Sequence, residues 1–488
     1  MRRRTDGTCA AVRPGALLLA LGFVVLLAIC HVKSVQAQAT PLCRLGLNVF
    51  RVQVGNFDLQ PLRLGWYLDQ WAWASETQPN GIEYFLVVNL KQVGDADFSF
   101  QPSGAALNAA IAAHPGAHWI IGNEPDRRHY QNDLLPEVYA RAYHDVRAYI
   151  LARDPTARLL AGAIVQPTPL RLQYLDRVLT AYQERYGAPL PADGWSIHNF
   201  ILNERSCDAY PDSCWGAGIP PGIEADEGMV ISDLNDHVRV DLFAQQIERF
   251  RGWMAANGYR NVPLHLTEYG VLMPAYLGFS PERVNQFMTD TFDYLLNETD
   301  ADTGYPLDGN RLVQRYGWFS AVDPTFNGSL FVSTAGAGPY VPPFVRTAIG
   351  DHFAAYAAGL SAAPDLAVVS VAAAPLLASG RVSATLSAQV ANLGHGQLPT
   401  AATVQFYDGD PQAGGAPIGA PQPVALAGCG AATAVEVTWQ DIDLRPGLAR
   451  QVFAAVTAED DRLPGNDSRA TWVVLGEYQT FLPMMNQP

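Results

Sequence analysis

WIIGNEPD, residues 119–126, joins a short apolar run to an amide, a carboxylate and a proline. An apolar run of this length predicts a buried strand. Because proline cannot donate to a strand ladder, the strand is predicted to end at Glu124. The carboxylate of Glu124 is thereby placed at a strand tip, a position that favours chemistry over packing.

Short apolar runs alternate with longer helical patterns over residues 44–360. Eight candidate strands are predicted there, at 44–50, 64–71, 83–90, 118–124, 158–165, 194–200, 263–270 and 314–321. Eight strands alternating with helices over about 300 residues predict an α/β fold, a (β/α)8 TIM barrel. An open doubly wound sheet is the alternative. Its nucleotide-binding form is disfavoured because no GxGxxG follows the first strand.

The pattern changes at GLSAAPDLAVV, residues 359–369. Beyond this linker, short runs of alternating apolar and polar residues are separated by turns rich in Gly and Pro. That texture predicts an immunoglobulin-like β-sandwich. The predicted organisation is a barrel at 40–360, a sandwich at 361–476 and a tail at 477–488 that is too short to fold alone.

The bulk composition limits the possible partners. The chain has 488 residues, 49% of them hydrophobic, and a formal net charge of −15. The hydrophobic content fits a globular protein with a large core. A nucleic-acid or anionic-membrane partner is disfavoured, because such partners need a basic face.

The N-terminus has the three parts of a secretory signal peptide. Arginines stand at positions 2–4, residues 16–30 are apolar, and small residues follow at Ala37 and Ala39. Residues 1–39 are therefore predicted to be cleaved, leaving a secreted, extracellular or cell-surface protein without stable membrane insertion. A membrane anchor is one alternative, although the apolar run is short for a span. A lipoprotein signal is the other, but isoleucine precedes the cysteine where a small residue is needed.

Four cysteines remain after such cleavage: Cys43, Cys207, Cys214 and Cys429. In an oxidising compartment Cys207 and Cys214 could close a small loop. The alternative is that all four are unpaired. Their spacing fits no standard zinc signature, and no metal ion or organic cofactor is predicted.

In a barrel of this kind, side chains at the C-terminal strand ends form the active site. Glu124 ends the fourth candidate strand, and Glu268 in PLHLTEYG (263–270) ends the seventh. Two carboxylates facing one mouth suit cleavage of a glycosidic bond, in which one protonates the leaving oxygen and the other acts on the anomeric carbon. The sequence gives no distance between them, so retention and inversion stay open at this point.

GNEP after the fourth strand and LTEYG at the seventh resemble the clan of retaining glycoside hydrolases built on TIM barrels. The resemblance implies that Glu124 is the acid/base and Glu268 the nucleophile. It also implies that Asn123 holds the sugar 2-hydroxyl. His198 in SIHNF would orient the nucleophile or bind sugar, and Trp318 in YGWFS would be a sugar-stacking platform.

GWYLDQWA (65–72) on the second strand is similar to one branch of that clan, the endo-β-1,3-glucanases related to fungal glycosyl hydrolase catalytic-core proteins. The resemblance adds Tyr67 and Trp71 as substrate-binding candidates. Strand alternation lets only some of these aromatic residues face the mouth.

Each of the other site residues also has a structural interpretation. Glu124 could cap the helix that follows, and Glu268 could form a buried ion pair with an arginine. Asn123 could satisfy loop backbone groups, while His198 and Trp318 could be core side chains.

Residues 391–419 and 463–472 resemble the bacterial cell-adhesion-related sandwich known as CARDB. Such modules accompany secreted or surface proteins. The resemblance therefore agrees with the predicted signal peptide.

The sequence thus predicts a secreted retaining hydrolase of O-glycosidic bonds in a polysaccharide or oligosaccharide, with a β-glycan favoured. A non-catalytic carbohydrate-binding or adhesion protein on a relic barrel is the alternative from another class. A metal hydrolase is a weaker third hypothesis, because His198 and His265 stand isolated in the sequence.

Overall fold

The computed structural model describes residues 40–212, 215–231, 233–378, 381–445 and 448–475. The predicted signal peptide at 1–39 and the tail at 477–488 lie outside these residues. No helix in the described part of the chain combines the length and apolarity that a bilayer crossing requires.

Nine strands form the first sheet of the described chain: β1 (Leu42–Asn48), β2 (Leu64–Leu68), β3 (Glu83–Val93), β4 (Asp97–Gln101), β5 (His118–Ile121), β6 (Arg158–Ile164), β7 (Gly194–His198), β8 (Leu264–Tyr269) and β9 (Arg315–Trp318). Eight of them are parallel in the order β2-β1-β9-β8-β7-β6-β5-β3, and pairing of β2 with β3 closes the ring. β4 pairs antiparallel with the extended end of β3. The predicted TIM barrel is confirmed, with each candidate strand present.

Six α-helices follow β4 and the later barrel strands within the described residues: α1 (Gly104–Ala113), α2 (Pro136–Leu151), α3 (Pro169–Tyr186), α4 (Val240–Ala256), α5 (Pro281–Asn297) and α6 (Ala348–Ala358). Three of them begin with proline, whose fixed φ and missing N–H suit the first helical turn. Gly187 ends α3 in the left-handed conformation. The helices form the outer layer, so functional groups must come from the strand ends and loops.

Apolar side chains fill the barrel lumen: Trp66, Leu68, Phe85, Val87, Ile120, Leu160 and Ala163. Trp66 is fully buried beside Gly46 of β1, where an added Cβ would lie 2.2 Å from the indole. Only glycine leaves room for this ring. The lumen is therefore a packed core, and a substrate must bind at its mouth.

The part of the chain that the structure describes holds nine more strands. Two short ones follow β9, β10 (Phe331–Ser333) and β11 (Phe344–Arg346), and seven are longer, β12 (Leu366–Ala378), β13 (Arg381–Asn392), β14 (Thr400–Asp408), β15 (Ala416–Leu426), β16 (Ala431–Trp439), β17 (Ala449–Ala458) and β18 (Ser468–Val474). The seven form antiparallel sheets ordered β12-β13-β16 and β15-β14-β17-β18. Alternate side chains of β13 and β14 point into a shared core. The predicted β-sandwich is confirmed, whereas the exact domain boundaries stay predictions.

The sandwich packs against the end of the barrel at which the strands begin. Arg44 near the start of β1 is fully buried and donates to both carboxylate oxygens of Asp308, each at 2.7 Å. Its Nε lies 2.7 Å from Nδ1 of His395 in the sandwich. The sandwich is thereby held at the face opposite the strand C-termini, away from the predicted mouth.

A disulfide between Cys43 and Cys429 links β1 to the sandwich. The alternative of four unpaired cysteines is therefore wrong. This pairing was not predicted, because 386 positions separate the two residues in the sequence. Cys207 is also disulfide-bonded. Its predicted partner, Cys214, lies outside the described residues.

Replacing Cys43 with serine is expected to lower the free energy of unfolding by about 2–5 kcal/mol, because the crosslink restricts the unfolded chain. Urea unfolding without reductant would measure the loss. Cys429→Ser should give the same loss, and the double variant no more, since all three remove one bond. A double variant much less stable than either single variant would contradict the prediction.

Candidate active site

The two predicted carboxylates lie together at the C-terminal ends of the barrel strands. Glu124 follows β5 in a turn where its own φ is 46°, and its N–H donates to the carbonyl of Ala163 at 2.9 Å. Glu268 is the penultimate residue of β8. Both are buried, with exposures of 2% and 6%. One carboxylate oxygen of Glu124 lies within 4.8 Å of one carboxylate oxygen of Glu268.

His198, the last residue of β7, lies between the two carboxylates. Its Nδ1 is 2.9 Å from Oε1 of Glu124, and its Nε2 is 3.4 Å from Oε1 of Glu268. The imidazole is 1% exposed. One ring thus contacts both groups that the sequence selected for chemistry.

Gln70 completes the environment of Glu268, and the sequence did not single it out. Its side-chain amide donates to Oε1 of Glu268 and, at 3.1 Å, to Oδ1 of Asn48. Asn48 in turn donates to the carbonyl of Thr267, the residue before Glu268, at 2.9 Å. The available signal was position alone, since Gln70 follows the end of β2 and Asn48 ends β1.

Arg127 is a second unpredicted neighbour of the site. Its Nη1 is 3.0 Å from Oε2 of Glu124, and its Nη2 donates at 3.0 Å to the carbonyl of Gly216 in the long β7–α4 connection. Its side chain is 19% exposed. Arg127 therefore joins the carboxylate of Glu124 to a loop over the mouth.

A buried ionic network lies behind Glu124. Nη1 of Arg171 is 3.0 Å from Oδ2 of Asp126, and its Nε is 3.0 Å from Oε1 of Glu204. All three side chains have no exposed surface. Asp126 also accepts from the N–H of Val165 at 3.2 Å. The network ties the Glu124 turn to α3 and to the β7–α4 connection.

Arg171→Met is expected to destabilise the fold by about 3–5 kcal/mol, because it leaves two buried carboxylates without their partner. Arg177→Ala is the matched control on the same helix, where Arg177 pairs with Glu137 and both side chains are about half exposed. That loss should be about 0–1 kcal/mol. Urea unfolding of both variants provides the comparison, and equal losses would contradict the prediction.

The electrostatics of the cluster follow from burial and mutual charge. Burial raises the pKa of Glu268, and the charge of Glu124 adds to this against the opposing effects of His198 and Gln70. For Glu124, burial acts upward as well, but His198 and Arg127 outweigh it and lower the pKa. Burial would lower the pKa of His198, yet the carboxylates of Glu268 and Glu124 raise it. In the free protein, therefore, the two acids favour the cationic form of the imidazole between them, and Glu124 is ionised more readily than Glu268.

Two of the other predicted residues lie at or near the mouth. Asn123 precedes Glu124, is 6% exposed, and its N–H donates to Oδ1 of Asn132 at 2.7 Å. Trp71 lies half-buried beyond the end of β2, with its ring 5.6 Å from that of Trp73. No contact of either side chain with Glu124 or Glu268 is seen among the described residues, and their sugar-binding roles stay predictions.

Tyr67 and Trp318 do not face the mouth, and their predicted substrate contacts need correction. Trp66 and Leu68 point into the lumen, so strand alternation turns Tyr67 outward, where its hydroxyl donates to the carbonyl of Thr77 at 2.6 Å. Trp318 is fully buried, and its indole N–H donates to the carbonyl of Gly328 at 2.8 Å. Both rings pack between the barrel and its outer layer.

Phe319, one residue after Trp318, is the better placed aromatic residue. It is half-buried just beyond β9. Its ring stacks on Phe50, which follows β1, with centroids 5.7 Å apart and an angle of 20° between the planes. Phe200 beyond β7 meets Phe319 edge-on at 5.8 Å. Phe50 and Phe319 are half-buried and could form the sugar platform that the sequence assigned to Trp318, with the buried ring of Phe200 packed against Phe319.

Glu124, His198 and Glu268 are also the described residues whose ligand atoms are grouped closely enough to hold a metal ion. The fold thus brings together three possible metal ligands that lie far apart in the sequence. Each imidazole nitrogen faces a carboxylate, however, and Arg127 already neutralises Glu124. This charge distribution favours an acid/base cluster over a cation site.

No protein-family model and no curated protein matches the chain. Among solved structures, a GH128 (subgroup I) endo-β-1,3-glucanase from Amycolatopsis mediterranei in complex with laminaritriose is 17% identical, covering 64% of this chain and 99% of its own, with a TM-score of 0.39.

Two further solved structures cover more of the chain. The family 51 α-L-arabinofuranosidase AbfB from Bifidobacterium longum is 14% identical over 82% of this chain and 97% of its own, with a TM-score of 0.38. A monomeric β-xylosidase from Caulobacter crescentus is 11% identical over 83% and 95%, with a TM-score of 0.39. All three are glycoside hydrolases, and at these identities and TM-scores the likeness carries no conclusion about this chain.

Proposed function

We propose that the chain is a secreted retaining glycoside hydrolase acting on a polysaccharide or oligosaccharide, with a β-glycan favoured. The observation that carries the proposal is the approach of Glu124 and Glu268 to within 4.8 Å at the barrel mouth. Retaining enzymes hold their carboxyl groups about 5–5.5 Å apart, whereas inverting enzymes need roughly 6.5–9.5 Å to admit a water molecule. The close approach of one oxygen from each carboxylate leaves little room for such a water molecule and supports double displacement.

In the first step, Glu268 attacks the anomeric carbon while Glu124 donates a proton to the leaving oxygen. The contacts of Gln70 and His198 both fall on Oε1 of Glu268, which directs Oε2 towards the sugar. In the second step, Glu124 takes a proton from water, and the resulting hydroxide displaces Glu268 from the glycosyl ester. The same configuration is then restored at the anomeric carbon.

The charge of Glu268 links the two steps. Because repulsion between two carboxylates is reciprocal, ionised Glu268 favours the protonated form of Glu124. Formation of the ester removes that charge, so Glu124 ionises more easily and can act as a base. In the free protein, His198 and Arg127 oppose protonation of Glu124. Substrate binding must therefore weaken at least one of these contacts before the proton is transferred.

Replacing Arg127 with alanine is expected to move the alkaline limb of the kcat/KM profile to higher pH. Glu124 must be protonated in the first step, so activity falls as pH rises through its pKa. Removal of the guanidinium raises that pKa and delays the fall. Arg127→Lys, which keeps a cation, should shift the limb less, and Arg128→Ala is the neighbouring control. A downward shift in Arg127→Ala would contradict this account.

Release of reducing ends from a panel of β-glucans, mannans and xylans tests the proposed function. The wild-type protein should cleave at least one of them, and Glu268→Ala should not. Binding of a glycan without cleavage of any would favour the non-catalytic alternative.

The Cys43–Cys429 disulfide supports secretion, because such bonds persist in oxidising compartments. The sandwich contacts the barrel at the face opposite the catalytic cluster, where Arg44 meets His395 and the carbonyl of Leu393. The CARDB-like sandwich is therefore proposed to locate or attach the protein and not to take part in the reaction.

A further inference from the structure

A groove of about 840 Å³ lies at the same end of the barrel as the catalytic cluster. One wall comes from the loop that leaves β8 after Glu268, and the other from the long connection between β9 and α6. None of the residues assigned to the reaction lines it. The groove therefore needs its own explanation.

Tyr276 stands at the rim of this groove and is 86% exposed. It belongs to a short turn, Ala275–Leu277, just before α5. A large aromatic ring left in water offers a flat apolar face with a polar tip. A pyranose ring has the matching chemistry, since its C–H bonds form an apolar face and its hydroxyl groups surround the edge.

The charged residues that line the groove restrict the class of ligand that it can bind. No Lys, Arg or His is among its described lining residues, and Asp323 is the charged one. Oδ1 of Asp323 accepts from the N–H groups of Thr325 at 2.7 Å and Phe326 at 3.1 Å. An anionic polymer would find no cation there, so the groove suits an uncharged glycan.

The two walls are fixed to each other. The N–H of Asn327 donates to the carbonyl of Met273 at 3.0 Å, and its side-chain amide donates to the carbonyl of Phe279. These bonds join the β9–α6 connection to the β8 loop. A groove formed before binding loses little ordering entropy when a ligand enters.

We propose that this groove is a remote subsite for an uncharged glycan chain that also occupies the catalytic cluster. The inference rests on the proposed function. Tyr276 is eight positions beyond Glu268, and a chain of that length spans at most about 29 Å. No residue of the catalytic cluster lines the groove, so a short substrate held at the cluster leaves the groove empty, whereas a chain of several sugar units can occupy both. The subsite therefore favours long chains over short ones.

Tyr276→Ala should lower kcat/KM about tenfold on the polysaccharide that the wild type cleaves best in the panel. On the shortest aryl glycoside that it cleaves, the same variant should match the wild type. Leu277→Ala is the matched control, because Leu277 is 41% exposed in the same turn and does not line the groove. Equal losses on long and short substrates, or no loss on either, would overturn the proposal.

Binding separates failure of the groove from failure of the proposed function. Calorimetry of the Glu268→Gln protein with laminarihexaose, cellohexaose, xylohexaose and mannohexaose should show that at least one binds, and that Tyr276→Ala weakens it about tenfold. That result would uphold the groove even if no glycan were cleaved. Failure of all four hexaoses to bind would overturn the proposal. A lower sedimentation coefficient for Tyr276→Ala than for the wild type would also overturn it, because it would show that Tyr276 lies in a dimer interface.

Discussion

Glu268→Gln is expected to lower kcat on an activated aryl glycoside by about 10⁴-fold or more. Catalytic residues act as a unit, so loss of the nucleophile alone removes most of the rate enhancement. The amide has nearly the shape of the carboxylate but cannot form the glycosyl ester. An activated leaving group needs little help from Glu124, so this substrate isolates the loss of the nucleophile. Steady-state kinetics at the optimum pH would measure the change.

Glu298→Gln is the control for that substitution, because Glu298 is exposed after the end of α5 and far along the chain from the site. It should retain wild-type kcat. Circular dichroism should show that Glu268→Gln is folded. A folded Glu268→Gln variant within tenfold of wild type would remove Glu268 from the reaction.

Glu124→Ala is expected to lower kcat by about 10²–10⁴-fold on substrates whose leaving group is a sugar, because those need a proton from a general acid. On a dinitrophenyl glycoside the first step should change far less, since that leaving group departs as an anion. Hydrolysis of the glycosyl-enzyme then becomes limiting, because no base activates water.

Added azide should accelerate the Glu124→Ala protein with the dinitrophenyl substrate and give a glycosyl azide of the same anomeric configuration as the substrate. Azide needs no general base, and the alanine leaves room beside the anomeric carbon. A uniform loss across leaving groups, or no response to azide, would mean that Glu124 has another role.

The barrel could be predicted from the sequence because its strands are short apolar runs with regular spacing. Placement of Glu124 and Glu268 followed from the same pattern, since parallel strands in a barrel bring their C-terminal ends to one mouth. This reasoning needs only the strand ends and no distances. It cannot say how closely two side chains approach, which depends on the turn at Glu124 with its positive φ.

The aromatic platform shows where sequence reasoning fails. Side chains alternate between the two faces of a strand, so a shift of one residue exchanges lumen and exterior. Trp318 ends β9 facing the helical layer, and Phe319 lies beyond it at the mouth. Tyr67 is turned outward by the same alternation, between Trp66 and Leu68.

Contacts made by long side chains also could not be predicted from the sequence. Gln70 and Arg127 reach the carboxylates from loops whose course depends on the whole barrel. The Cys43–Cys429 bond depends on how two domains pack, and no local pattern encodes that. Both Gln70 and Arg127 lie within three positions of a predicted strand end, so polar residues at such positions are candidates for the active site.

Identification of the residue that carries the glycosyl group tests the central claim most directly. A 2-deoxy-2-fluoro glycoside with an activated leaving group slows both steps and traps the ester, which peptide mapping by mass spectrometry can locate. The roles proposed here predict the label on Glu268. The pKa directions in the free protein, taken alone, would favour ionised Glu124 as the nucleophile. A label on Glu124, or product of inverted configuration with no label, would contradict the account.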